Sequence, residues 1–212
     1  MIMIDKLLSV IGERYPLTDA DNVSGLKASG MKFDIRSYKA EGLGHVSVMT
    51  AKGFFGLMKM DTLIVNPTEV DLPLYSYDRI FAMGNDVLIV ELYDTLSNPD
   101  AFDMPDVKAD YTDLAERDPG EHWYDSIKLD ESISKKGKKA DTPTLSCLAT
   151  EHLVAYLDAV RPTDNPEVKK EKARIYVEGL LSKGGPSTDA FKKAIGEEKT
   201  AELFRDILFG TK

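Results

Sequence analysis

Apolar positions along this chain keep two rhythms. Ile2, Ile4, Leu7, Leu8 and Ile11 recur at helical spacing, which predicts an amphipathic helix over residues 2–14. From residue 31 the rhythm shortens to two. Residues 31–38 (MKFDIRSY) and 43–51 (LGHVSVMTA) alternate as half-buried strands do. A third strand follows Gly53 and covers 54–65. Beyond the connector NPTEVDLP, two more strands run over 78–83 and 87–93. Gly84-Asn85-Asp86 joins them, and Gly and Asn tolerate the positive φ of a tight hairpin. These connections are short, which favours antiparallel pairing.

The rhythm then breaks. Residues 95–122 are polar and rich in Asp, with Pro99, Pro105 and Pro119, and have room for one short helix within 106–117. Residues 134–142 (SKKGKKADT) read as a lysine-rich loop. Helical spacing returns at about 144–160, 167–181, 187–196 and 197–208, punctuated by Pro162, Asn165-Pro166, Gly184-Gly185-Pro186 and Gly196. A helix, an antiparallel sheet, then helices is an α+β order. Its simplest packing is a three-layer α/β/α sandwich with a central antiparallel sheet, as one domain over 1–212.

Composition narrows the function. The chain has 27 basic and 36 acidic side chains, a net charge of −9. That speaks against nucleic acid and against anionic membranes, which both need clustered cations. No apolar run reaches the ~18 residues of a spanning helix, and the N-terminal stretch does not have a signal-peptide pattern. A cytoplasmic location is expected. Cys147 is the only cysteine, so neither a disulfide within the chain nor a cysteine metal site is expected. Beside Leu145 and Leu148 it reads as a buried structural thiol. There is no Gly-rich phosphate loop, and His45, His122 and His152 lack metal-ligand spacing, so no metal is expected.

Acids inside strands carry the chemical interest, because a partly buried carboxyl can hold a shifted pKa. Asp61, Asp78 and Glu91 all interrupt apolar runs. Alternation puts Asp61 with Leu57 and Lys59, opposite Met58 and Met60, and puts Glu91 with Ile89 and Tyr93. Glu91 read alone is a solvent-facing strand acid. Asp78 has Tyr75, Tyr77 and Phe81 as sequence neighbours. Aromatic walls and one acid suit a flat conjugated ligand, although the same aromatics also suit a core. Lys135, Lys136, Lys138 and Lys139 read as a solvated loop, or as a docking patch for an acidic partner.

Three stretches carry a family resemblance: VDLPLYSYDRIFAMGNDVLIVELYDTL (70–96), Trp123 with the segment leading to HLVAYLDAV (152–160), and GGPSTDAFKKAIGEEKTAELFRDILF (184–209). In order and spacing the chain resembles the ferredoxin-dependent bilin reductases, the family of phycocyanobilin:ferredoxin oxidoreductase, across roughly residues 30–209. The resemblance implies a linear tetrapyrrole held between the sheet and the C-terminal helices. It implies electrons from a reduced ferredoxin or flavodoxin, no bound metal or organic cofactor, and protons from side-chain acids. Asp78 matches the family's central-strand aspartate, which binds and protonates the bilin. Asp61 stands where the phycocyanobilin-forming member has a histidine, and is the auxiliary acid. Met49 falls near that member's catalytic glutamate, and Gly185 falls where many members have a second aspartate. Asp189, four residues later, is the acid available in its place. Tyr75, Tyr77, Met49, Glu91 and Asp189 complete the expected ligand-binding set.

The scaffold therefore matches better than the acids do. The leading expectation is a divergent ferredoxin-dependent reductase of a bilin or a related conjugated compound. The alternative is a non-catalytic tetrapyrrole carrier or sensor on the same scaffold. A protein with no small ligand would instead fill the space between sheet and C-terminal helices with its own side chains.

Overall fold

The computed structural model describes residues 3–185 and 187–212. Ile2, counted in the first apolar stripe, lies outside them. Helix α1 (Met3–Gly12) precedes six strands: β1 (Leu17–Ala28), β2 (Met31–Ala40), β3 (Gly44–Gly53), β4 (Met58–Pro67), β5 (Leu74–Ala82) and β6 (Asn85–Tyr93). A two-residue strand β7 (Ala115–Glu116) and β8 (Ile133–Lys138) follow. Helices α2 (Thr142–Asp158), α3 (Pro166–Lys183), α4 (Thr188–Ile195) and α5 (Glu197–Glu202) come last, and α5 runs on into a π-helical turn, Leu203–Leu208.

All strand pairs are antiparallel, in the order β1-β2-β3-β4-β5-β6-β8-β7. Strands β2 to β6 form a meander, as the short connections predict, and β1, which the sequence reading did not include, extends it at the edge. Alternation divides the core in two. Val46, Val48, Leu63, Tyr75, Tyr77 and Leu88 pack with α1 and α2. Phe33, Ile35, Met49, Ile64 and Tyr93 pack instead with α3, α4 and the C-terminal turn.

Several expectations need correction. Residues 134–142 are not a loop, because β8 pairs with β6 over most of that run. Its Lys135 is buried, with Nζ donating to the Leu114 carbonyl at 3.2 Å and to Glu116 at 2.5 Å. A lysine that finds partners on a neighbouring strand does not behave as a solvated one. The helix expected within 106–117 is a 3-10 turn, Val107–Tyr111. Strand β1 carries no clean alternation, because as a sheet edge with polar residues it is exposed along most of its length. Cys147 is exposed. The buried stripe of α2 runs through Leu145, Leu148, Ala149, His152 and Leu153, and residue 147 faces away from it.

Two devices fix the elements above the sheet. His45 and Ser47 on β3 and Asn66 on β4 reach the carbonyls of Ile207, Leu208 and Phe209 at 2.9, 2.6 and 2.7 Å. These side chains satisfy acceptors that a helix end leaves free. Burial lowers the His45 pKa, which favours the neutral ring. Helix α3 is held by Trp123, whose Nε1 donates to the Gly184 carbonyl at 2.9 Å and whose ring lies against Gly179.

A Cβ on Gly179 would come within 2.1 Å of the Trp123 ring. Gly179→Ala therefore sets a helix-propensity gain of about 1 kcal/mol against an overpacking cost of about 1–3 kcal/mol. The clash should win. We expect a lower thermal midpoint and altered Trp123 emission; a raised midpoint would contradict the packing described.

Candidate functional site

Register builds the site. Met49, Thr62, Asp78 and Ile89 lie side by side across β3, β4, β5 and β6. One step along the same face, Ser76 lies opposite Glu91. Above this face is a cavity of about 210 Å³, or about 1000 Å³ with its open mouth included. Its roof is Tyr176 and Leu180 from α3 with Phe204, Leu208 and Phe209. Its side wall is Arg117, Pro119, His122 and Tyr124.

Asp78 lies in the cavity floor. Thr62 Oγ1 donates to its Oδ1 at 2.5 Å. Burial pushes the carboxyl up to about 6; the Thr62 bond opposes the shift, and the Glu91 charge adds to it. An acid near 6 is protonated for a useful fraction of the time near neutral pH, so it can give a proton to a bound molecule. Glu91 accepts from the Tyr93 hydroxyl at 2.6 Å and lies 3.9 Å from Lys128. Tyr93 packs on Tyr176 with ring centres 4.3 Å apart, and His122 stacks on Tyr124 at 4.9 Å. Aromatic rings from Tyr93, Tyr124, Tyr176, Phe204 and Phe209 thus share the lining with aliphatic side chains.

Among the described residues, Thr188 Oγ1 and His122 Nδ1 are buried without a hydrogen bond, and both residues line this cavity; Nδ1 lies 3.8 Å from Asp125 Oδ1. Buried polar groups normally find partners, so unsatisfied ones beside a cavity are groups a ligand can engage. Arg117 adds a permanent cation suited to a ligand carboxylate. Among the described residues no cluster of His, Cys, Asp and Glu could hold a metal ion.

The residues named from the sequence are divided by the sheet. Asp78, Met49 and Glu91 come together at the cavity. Tyr75 and Tyr77 do not. They sit at odd offsets from Asp78, so they point through the opposite face, where Tyr75 packs on Tyr156 at 4.8 Å. Asp61 is also on that face, in a second cleft with Lys52, Lys59 and Arg79, and burial raises its pKa. Asp189 is exposed in the first turn of α4, while its neighbours Ser187 and Thr188 reach the cavity.

Thr62, Tyr93, Tyr124, Tyr176, Arg117 and His122 were missed. Alternation with Met60 and Ile64 could have found Thr62. Arg117 and His122 lie in a segment without period, and nothing in their spacing marks them.

No family model matches this chain, and no curated protein matches its sequence. Among solved structures it is similar to phytochromobilin synthase from tomato, determined in complex with biliverdin. The TM-score is 0.77 at 14% identity, with 99% of this chain and 82% of that chain covered. At that identity the likeness is one of fold, and it agrees with the α+β architecture expected from the bilin reductase resemblance.

Proposed function

We propose that this chain binds a linear tetrapyrrole in the cavity above Asp78 and reduces it with electrons from a ferredoxin or flavodoxin. The carrying observation is a carboxyl raised to about 6 in the floor of an aromatic cavity. In this reading the protein is a three-layer α/β/α sandwich and the ligand lies between the sheet and the C-terminal helices. The similar tomato protein holds biliverdin, which supports that ligand class. A flat molecule of that size would fill the enclosed part and extend through the mouth, with Arg117 placed for a carboxylate.

Reduction of one double bond takes two electrons and two protons. The donor protein supplies the electrons one at a time. Asp78 gives one proton and regains it from solvent through the mouth. Glu91 is the second acid on this face, and it stands in for the acid that the resemblance finds replaced at Met49. Asp61, across the sheet, takes no part. No resident metal or organic cofactor enters the scheme.

Met49 and Gly185, where the family pattern has acids, favour a second reading, a tetrapyrrole carrier or sensor on the same scaffold. One titration and one reaction separate the readings. Trp123 is the only tryptophan, and its ring lies 5.3 Å from that of Tyr124 in the cavity wall. Biliverdin should quench its emission saturably. Adding reduced ferredoxin without oxygen should then shift the bilin absorption bands. Quenching without a band shift favours the carrier. No quenching up to the solubility limit of biliverdin would exclude both.

A further inference from the structure

Register sets four lysines in a row. Lys27 lies opposite Lys32, Lys32 opposite Lys52, and Lys52 opposite Lys59, one from each of β1 to β4. All four are exposed. Directly opposed residues share a sheet face and lie about 4.5–5.5 Å apart, where like charges are destabilising. Among the described residues none of the four enters an ion pair. Two acids flank the row on that face, the exposed Asp34 two residues from Lys32 and the half-buried Asp61 two residues from Lys59.

The same end of the sheet carries four exposed large apolar side chains: Phe54 (54%), Phe55 (109%), Leu57 (70%) and Met83 (91%). The first three form the β3–β4 connection, and Met83 is in the β5–β6 turn. Met58 pairs with Ala82, so the two turns are neighbours. Lys52 and Lys59 lie within two residues of this apolar tip, about 3–7 Å behind it along the strands.

The backbone adds a third observation. Phe54, Phe55 and Met83 have φ of 52, 56 and 51°. Bulky side chains are outliers in this left-handed region, which Gly and Asn occupy with less strain. Folding alone would favour Asn or Gly here. The tip keeps large apolar groups instead, and points them into water.

We propose that this end of the sheet docks on an anionic lipid bilayer. Phe55, Leu57 and Met83 enter the boundary between headgroups and acyl chains, and the lysine row meets the headgroup phosphates and carboxylates. A side chain as exposed as Phe55 stands clear of its neighbours, so it needs a medium that yields around it, as a bilayer does. The net charge of −9 hides this concentration of cations when the chain is read as composition. It also fixes orientation, because the remaining acidic surface is repelled by the same bilayer.

Flotation tests this with phosphatidylcholine vesicles and with vesicles that also contain phosphatidylserine. We expect the protein to float with the serine-containing vesicles alone, less so as salt rises. Each lysine removed from the row, as in Lys32→Ser or Lys52→Ser, should weaken binding about fivefold. Phe55→Asn with Met83→Asn keeps a residue suited to the left-handed backbone, so the thermal midpoint should not fall. Its vesicle binding should drop by about tenfold or more. Failure to float with either vesicle overturns the proposal, as does unchanged binding by the double Asn variant. Full displacement by inorganic phosphate would instead mark a soluble-anion site. Retention on immobilised ferredoxin, with vesicles left unbound, would mark a protein-docking face. Either result ends the lipid proposal.

Discussion

Asp78→Asn should yield a protein that reduces bilin roughly 10²–10⁴-fold more slowly and yet is more stable than the parent at pH 7. Both effects come from one carboxyl. A positioned proton donor is worth that much in rate, and asparagine has no proton to give at this pKa. Its Oδ1 can still accept from Thr62, so the strand pairing survives. The stability gain follows from the direction of the shift. Burial raises Asp78 from 3.8 to about 6 in the folded state. The native protein thus binds this proton more tightly than the unfolded chain does. The associated stability is present below pH 3.8 and is lost as pH rises through about 6. At pH 7 the ionised form costs the native state about 2–3 kcal/mol, and asparagine avoids that cost. Urea midpoints for parent and variant should therefore separate at pH 7 and converge near pH 4. Turnover at the parent's rate would remove Asp78 from the mechanism. A stability difference independent of pH would show that the carboxyl is not held in the environment described.

Much of this architecture could be read along the chain. The meander follows from alternation and short connections, and the register that aligns Thr62 with Asp78 follows from the meander. The cavity walls could not be read the same way. Tyr75 and Tyr77 look like partners of Asp78 because they are near in sequence, but a strand sends odd neighbours to the other face. The aromatics that do line Asp78's cavity include Tyr93, Tyr124, Tyr176, Phe204 and Phe209, brought there by separate elements. Asp61 shows the same limit in reverse. It resembles Asp78 in its apolar surroundings, and the two strands are adjacent, yet the sheet lies between the two side chains. Lys135 was misread for a different reason. Its charge suggests solvent, and only the pairing of β7 with β8 supplies the Glu116 that lets it be buried. Burial of Lys135 also removes a cation from the basic patch that the sequence offers for an acidic partner.

Asp86→Ala should be among the most destabilising single changes in this protein, at about 3–5 kcal/mol. Arg79 and Asp86 are both buried, at 1% and 0% exposure. The guanidinium grips the carboxylate with two donors: Nε to Oδ1, and Nη2 to Oδ2 at 2.7 Å. Thr142 locks α2 onto the pair. Its Oγ1 donates to Asp86 Oδ2 at 2.6 Å, and its carbonyl accepts from Arg79 Nη2 at 3.2 Å. Removing Asp86 leaves a buried guanidinium without its paired carboxylate, with Asp61 in the same cleft as the remaining acid and, among the described residues, Nη1 already lacking a hydrogen bond. Such a charge costs far more than the pair itself contributes. Replacing both members with apolar side chains, as in Arg79→Met with Asp86→Leu, should therefore recover most of the loss despite deleting more hydrogen bonds. Urea midpoints of parent, single and double variants distinguish the cases. A single variant within about 1 kcal/mol of the parent would mean that water reaches the pair. A double variant no better than the single would mean that the bonds to Thr142, rather than the unpaired charge, set the cost. Arg79 is the residue after Asp78, so β5 carries this junction with α2 on one face of the sheet and the cavity carboxyl on the other.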